Sequence, residues 1–112
     1  MKLLLVTGGT GFLGKKLVEE LDNNNFKLIL LTRNKLNSIF KKNKAFKNHI
    51  ILQYNKADLG KLKKFKNIYG VVHLSTCYGR KGETKKEIYS SNYIYPLNIF
   101  EIINKKNLKF FL

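Results

Sequence analysis

The stretch Val6-Thr7-Gly8-Gly9-Thr10-Gly11-Phe12-Leu13-Gly14 decides how this chain folds. The apolar run Leu3-Leu4-Leu5-Val6 leads into it. Beyond it, Leu13, Leu17, Val18 and Leu21 recur at helical spacing, with Lys15, Lys16, Glu19, Glu20 and Asp22 on the other face. A strand, a glycine-rich turn and a helix N-terminus, in that order, build a phosphate site. Gly8 permits the tight turn, Gly11 lets a pyrophosphate approach the backbone, and Gly14 lets the helix pack close against the sheet. The helix start then offers unpaired N–H groups and a positive dipole end to the anion. Thr10, Phe12 and Leu13 lie between these glycines and join them as candidate cofactor-binding residues. The spacing Gly-x-x-Gly-x-x-Gly is one residue wider in its first step than the common dinucleotide fingerprint.

Working outward, Asn23-Asn24-Asn25 stops the first helix, and Phe26 to Leu31 reads as a strand buried on both faces. Leu36, Ile39 and Phe40 predict a short helix running into the lysine-rich stretch Lys41 to Lys47. Ile50-Ile51-Leu52 predicts a third strand, Leu59, Leu62 and Phe65 a helical turn, and Tyr69 to Leu74 a fourth strand. A polar loop, Ser75 to Gly82, precedes a long helix from Thr84 to Lys105, and Leu108 to Leu112 begins a fifth strand. This alternation, without repeats or linkers, predicts one α/β domain over residues 1–112: a Rossmann-like doubly wound parallel sheet of order 3-2-1-4-5. The glycine turn, Thr32-Arg33, Asp58 and Leu74-Ser75-Thr76 then converge where the strand order reverses.

The length of 112 residues allows one modest core, and a hydrophobic content of 44% excludes a disordered chain. The single cysteine, Cys77, excludes an internal disulfide framework. The absence of a signal-like segment and of an apolar run of roughly 18 residues predicts a cytoplasmic protein without a membrane partner. The net charge of +15 is almost all lysine, spread over loops and helix faces, and the aromatics do not interleave with it as a base-stacking platform would. It therefore reads as a solvated surface, with nucleic-acid binding a weaker alternative. His73 reads as a packed strand residue, His49 is isolated, and two histidines with one cysteine make no metal site.

The run Thr-Gly-Gly-Thr-Gly-Phe-Leu-Gly after an N-terminal strand resembles the extended short-chain dehydrogenase/reductase family, the NAD(P)-dependent epimerases and dehydratases of sugar nucleotides. The resemblance extends along nearly the whole chain. Asp58-Leu59 is similar to the family's Asp-Leu pair at the adenine, although Asp58 also reads as the N-cap of a turn beginning at Leu59. Val71-Val72-His73-Leu74-Ser75-Thr76 resembles Val-x-His-Leu-Ala-Ala, which implies that Leu74, Ser75 and Thr76 border the ribose and nicotinamide half. Asn92-Tyr93-Ile94-Tyr95-Pro96-Leu97-Asn98 resembles Asn-Val-x-Gly-Thr-x-Asn, which implies that Asn92 faces the nicotinamide end. Pro96 departs from that pattern and predicts a kink aiming Asn92 into the crevice. Arg80 lies in the loop where relatives meet the sugar nucleotide and is a candidate for a substrate phosphate.

The end of the second strand carries Thr32 and Arg33 where an NAD site usually has an acid, and no Asp or Glu occurs between Asp22 and Asp58. An arginine there can hold a 2′-phosphate that a carboxylate would repel, so the sequence favours NADP(H), with NAD the alternative. What the family uses for catalysis is absent. None of the six tyrosines has a lysine four residues on, and no catalytic residue is assigned. The chain stops at Leu112 inside the fifth strand. These features predict a truncated cofactor-binding half, inactive alone, which meets a sugar nucleotide only if the missing half is supplied. Its exposed sheet edge predicts self-association. A non-enzymatic nucleotide-binding or assembly module stays open beside it.

Overall fold

Strands β1 (Leu3–Thr7), β2 (Lys27–Thr32), β3 (Ile50–Gln53), β4 (Ile68–His73) and β5 (Phe110–Phe111) form one parallel sheet in the order β3-β2-β1-β4-β5. This computed structural model describes residues 2–75 and 82–112. Thr76, Cys77 and Arg80 lie outside the described residues.

The apolar strands are explained by cover on both faces. Alternate residues of β1 and β2 divide between two cores. Leu4, Val6, Leu28 and Leu30 join Val18, Phe40 and Phe46 on one face. Leu5, Ile29 and Leu31 join Leu52, Leu62, Ile99 and Ile103 on the other. The first face is covered by α1 (Phe12–Asn23), α2 (Ile39–Lys42) and α3 (Lys44–Lys47), the second by α4 (Lys56–Leu62) and α6 (Tyr95–Ile102). Phe46 is fully buried, and removing a side chain of that size from water contributes roughly 1.5–3 kcal/mol. That anchors a helix too short to hold itself. Asn25, at φ 64°, turns the chain out of α1 as the asparagine run predicts.

Several elements differ from the sequence reading, each for a local reason. The second helix is two single turns, because the Asn43 side chain accepts the Ala45 N–H at 2.9 Å and starts α3 afresh. Strand β4 carries an extra residue: Leu3 pairs with Ile68 and Leu4 with Gly70, so Tyr69 is skipped. That shift puts Ile68 and Val71, three apart, into the same core. Gly70 seats the Phe110 ring, which lies 2.2 Å from where a Cβ would stand, and so lets β5 dock. The long helix is interrupted. It runs as α5 (Lys85–Tyr89), a π turn (Ser90–Ile94) and α6, and ends at Ile102 rather than Lys105. In the π turn the Tyr95 N–H reaches back five residues to the Ser90 carbonyl. Pro96 has no N–H to continue an α ladder, and the wider turn falls just before it.

Candidate cofactor site

The turn after β1 is built on glycine contacts. Gly8 sits at φ 70°, and a Cβ there would lie 2.6 Å from the Leu74 carbonyl carbon. The Gly11 N–H donates to the Gly8 carbonyl at 3.2 Å. Gly14 packs against the turn itself, with its Cβ direction 2.0 Å from the Gly8 oxygen. Helix α1 begins after Gly11 with no side-chain cap, leaving its first amides facing outward.

Above this turn lies a cavity of about 780 Å³ at the carboxyl ends of β1, β2 and β4. Of the residues expected from sequence, Gly8, Thr10, Gly11, Thr32, Arg33, Leu74 and Ser75 line it. Phe12 and Leu13 are exposed on the first turn of α1, and Gly14 is buried beneath the turn. None of these three belongs to the lining. Asn92 is exposed and outside the lining, and Ser91, one residue earlier, is the buried residue that faces the cavity. The π turn shifts the helical register by one residue, which exchanges their places. Ser90, Tyr95, Lys86 and Glu87 complete that wall. Glu87 also closes a capping box with Thr84 at the start of α5.

Asp58 and Leu59 also lie outside the lining. Asp58 is not an N-cap: the cap of α4 is Asn55, whose side chain accepts the Asp58 N–H at 2.8 Å. The Asp58 carboxylate instead accepts the Gln53 N–H at 2.7 Å and pairs with Lys35 at 2.5 Å and Lys61 at 3.1 Å. The Lys35 ammonium, and then the Gln53 N–H, hold this carboxyl well below the usual carboxylate range. It stays charged and ties the end of β3 to α4. Leu59 packs against the core under that helix.

A hydrogen-bond chain unsuspected from sequence runs beside the cavity, from Thr7 and His73, which are not in its lining, to Ser91 and Arg33, which are. The Thr7 hydroxyl accepts the Leu74 N–H at 3.1 Å and the Ser75 N–H at 3.2 Å, and lies 2.7 Å from His73 Nδ1. The Ser91 carbonyl beside Nε2 can only accept, so the neutral ring takes the Thr7 hydroxyl proton at Nδ1. The His73 proton therefore sits on Nε2, which donates to the Ser91 carbonyl at 3.0 Å. Ser91 Oγ in turn accepts from Arg33 Nη2 at 2.7 Å, and the guanidinium lies over the Tyr95 ring, 5.3 Å from its centre. His49, unassigned from sequence, accepts the Leu28 N–H at Nδ1 and donates from Nε2 to Asp22 at 2.8 Å.

Both rings are held neutral. Burial pushes His49 below its ordinary value despite Asp22, and burial does the same to His73 despite the Ser91 carbonyl, with the Arg33 charge adding to it. The unfolded chain takes up these protons near pH 6.5 while the folded chain still resists them. Stability is therefore complete above that pH and falls as pH drops below it, by at most about 1.4 kcal/mol per pH unit for each ring. Urea midpoints should be level from pH 8 to 7 and decline from about 6.5 downward. A midpoint that rises on acidification contradicts both assignments.

A family model for the NAD dependent epimerase/dehydratase family matches residues 4–112. The chain belongs to that family. This epimerase/dehydratase-family chain is 30% identical over 112 residues to CDP-abequose synthase from Salmonella muenchen, an alignment covering 99% of the chain and 36% of that protein. The solved UDP-glucose-4-epimerase from Stenotrophomonas maltophila, which holds NAD, superposes with a TM-score of 0.77 at 15% identity, over 99% of this chain and 36% of that one. Gre2 from Candida albicans, in complex with NADPH, gives a TM-score of 0.74 at 19% identity, over 99% of this chain and 36% of that one. The chain thus spans about a third of the length of these relatives. Among the described residues, no helix is long and apolar enough to cross a membrane, and no His, Cys, Asp and Glu group could hold a metal ion.

Proposed function

We propose that this chain is the NADP(H)-binding portion of a sugar-nucleotide epimerase, dehydratase or reductase. The observation that carries it is the position of Arg33, on the wall of a cavity whose floor is the glycine turn, at a strand end with no acidic residue. The residues fit the cofactor. Gly8 and Gly11 present bare backbone, and even a Cβ at Gly11 would meet nothing closer than 3.5 Å, so a diphosphate has room beside the turn. The cavity volume of about 780 Å³ suits a nucleotide ligand.

In this reading the turn and the start of α1 grip the diphosphate, Arg33 holds the 2′-phosphate, and the Leu74-Ser75 backbone borders the ribose and nicotinamide half. Asp58 and Leu59 act from beneath, by fixing the β3–α4 junction beside the adenine. The bound cofactor would supply a hydride acceptor or donor. The proton-exchanging Tyr-x-x-x-Lys pair is not in these 112 residues, so the chain by itself binds without turnover. The relatives support a sugar-nucleotide substrate for the complete protein.

Titration of the folded chain with NADPH and NADH, followed by nicotinamide fluorescence, tests the proposal. Saturable binding, tighter for NADPH, is expected. Folded protein that saturates with neither at millimolar concentration overturns it.

A further inference from the structure

Beside the cavity lie two side chains, Thr7 and His73, that the cofactor reading leaves unused. Thr7, His73, Ser91 and Arg33 come from β1, β4, the π turn and the end of β2, and hydrogen bonds link them in sequence, with Ser91 held at its carbonyl by His73 and accepting at Oγ from Arg33. We propose that His73 is a positioning residue for phosphate recognition: by donating from Nε2 to the Ser91 carbonyl, it holds the π turn so that Ser91 Oγ aims the Arg33 guanidinium along the cavity wall. This rests on the NADP(H) reading above and adds a mechanism for its specificity.

The geometry supports each link. Arg33 is exposed at the end of a strand, with a long side chain that is otherwise free to sample many rotamers. One of its five donors is engaged by Ser91 Oγ, and the face of Tyr95 supports the guanidinium from one side. A planar fork fixed at one nitrogen keeps its other donors for a phosphate and loses less freedom when it binds one. Ser91 is itself only 3% exposed, and the bond from His73 ties its carbonyl, within the π turn, to β4. The imidazole must be in the Nε2–H form for that bond, and the Thr7 hydroxyl enforces this by donating to Nδ1. The Leu74 and Ser75 amides also reach the Thr7 hydroxyl, the Leu74 N–H sharing it with the Thr7 carbonyl, and hold it beside the ring. The same two residues border the ribose and nicotinamide half, so the chain joins both ends of the cavity.

The test compares NADPH and NADH affinities of the full chain with those of His73→Phe, His73→Gln and Ser91→Ala. His73→Phe keeps the ring volume and removes the bond; it should lower the NADPH-to-NADH preference about fivefold or more, leaving NADH affinity within about twofold. Ser91→Ala removes the last link without disturbing β4, and should lower the preference by a similar factor. His73→Gln keeps a donor toward the Ser91 carbonyl and should retain most of the preference. Nitrogen NMR of the wild-type ring should show a neutral imidazole protonated at Nε2. A preference unchanged in both His73→Phe and Ser91→Ala, a loss shared equally by NADPH and NADH, or an Nδ1–H ring each overturns the positioning role. Wild-type protein that binds neither dinucleotide overturns the cofactor reading itself, so the two failures are distinct.

Discussion

Replacing Gly14 by alanine collapses the glycine turn. The new methyl would stand 2.0 Å from the Gly8 oxygen and 2.8 Å from both the Gly8 carbonyl carbon and the Gly9 Cα. All three are backbone atoms, so no rotamer change relieves the overlap, and α1 must move away from the turn. The turn cannot retreat instead, because Gly8 already abuts the Leu74 carbonyl and the Ser75 amide. Overpacking of this kind costs about 1–3 kcal/mol, and a rigid backbone on both sides puts Gly14→Ala at the upper end. For a domain near 100 residues that lowers Tm by about 10 °C or more. Dinucleotide affinity should fall further, by more than about tenfold, since the displaced elements carry the amides proposed to grip the diphosphate. Gly60→Ala is the matched control. A Cβ at Gly60 in α4 meets nothing within 4 Å, so the same change there should be neutral or add up to about 1 kcal/mol of stability. Thermal unfolding and NADPH titration of the two variants side by side decide it; equal behaviour would remove Gly14 from the design of the turn.

The strands and their order were legible because the physical signal is local and repeated. Runs such as Lys27–Thr32 are apolar on both sides only when helices cover both faces, and short helical patterns between them leave a parallel sheet as the outcome. The glycine turn was legible for the same reason, since each glycine answers to a contact within its own eight or nine residues or to the next strand. What escaped was the placement of single extra residues. Pro96 announced an irregular helix, yet the sequence does not say at which residue the wider turn forms, and that choice separates Ser91 from Asn92 at the cavity wall. Tyr69 in β4 is the same case in a strand. At the start of α4, Asn55 and Asp58 are both capable caps three residues apart. The competition was settled by Lys35, which reaches Asp58 from the segment after β2, and by the Gln53 N–H at the end of β3. Gly70 and His73 carry no local signal at all, because their partners, Phe110 and the π turn, approach only in the folded chain.

Replacing Arg33 by methionine should convert an NADPH preference into near indifference. Methionine keeps an unbranched stem over Tyr95 and removes only the charge and the donors, so the cavity retains its shape. A charge-assisted hydrogen bond contributes about 1.5–3 kcal/mol, which corresponds to a loss of about 10- to 100-fold in NADPH affinity. NADH lacks the 2′-phosphate and should change by less than about threefold. Arg33→Lys should fall between, since an ammonium supplies the charge but not a fork that can hold Ser91 Oγ and a phosphate together. Of the other cations, Lys35 and Lys61 pair with the Asp58 carboxylate, while Lys86 lines the cavity wall formed by α5 and the π turn. Asp58 remains ionised far into acid, so neither lysine is released at working pH. If Arg33→Met weakens NADPH and NADH alike, the guanidinium serves the cavity's structure rather than the 2′-phosphate. If wild-type protein binds NADH more tightly, the absence of a carboxylate after β2 has been misread. The selective loss is the outcome that the proposed NADP(H) reading of Arg33, Ser91 and Tyr95 predicts.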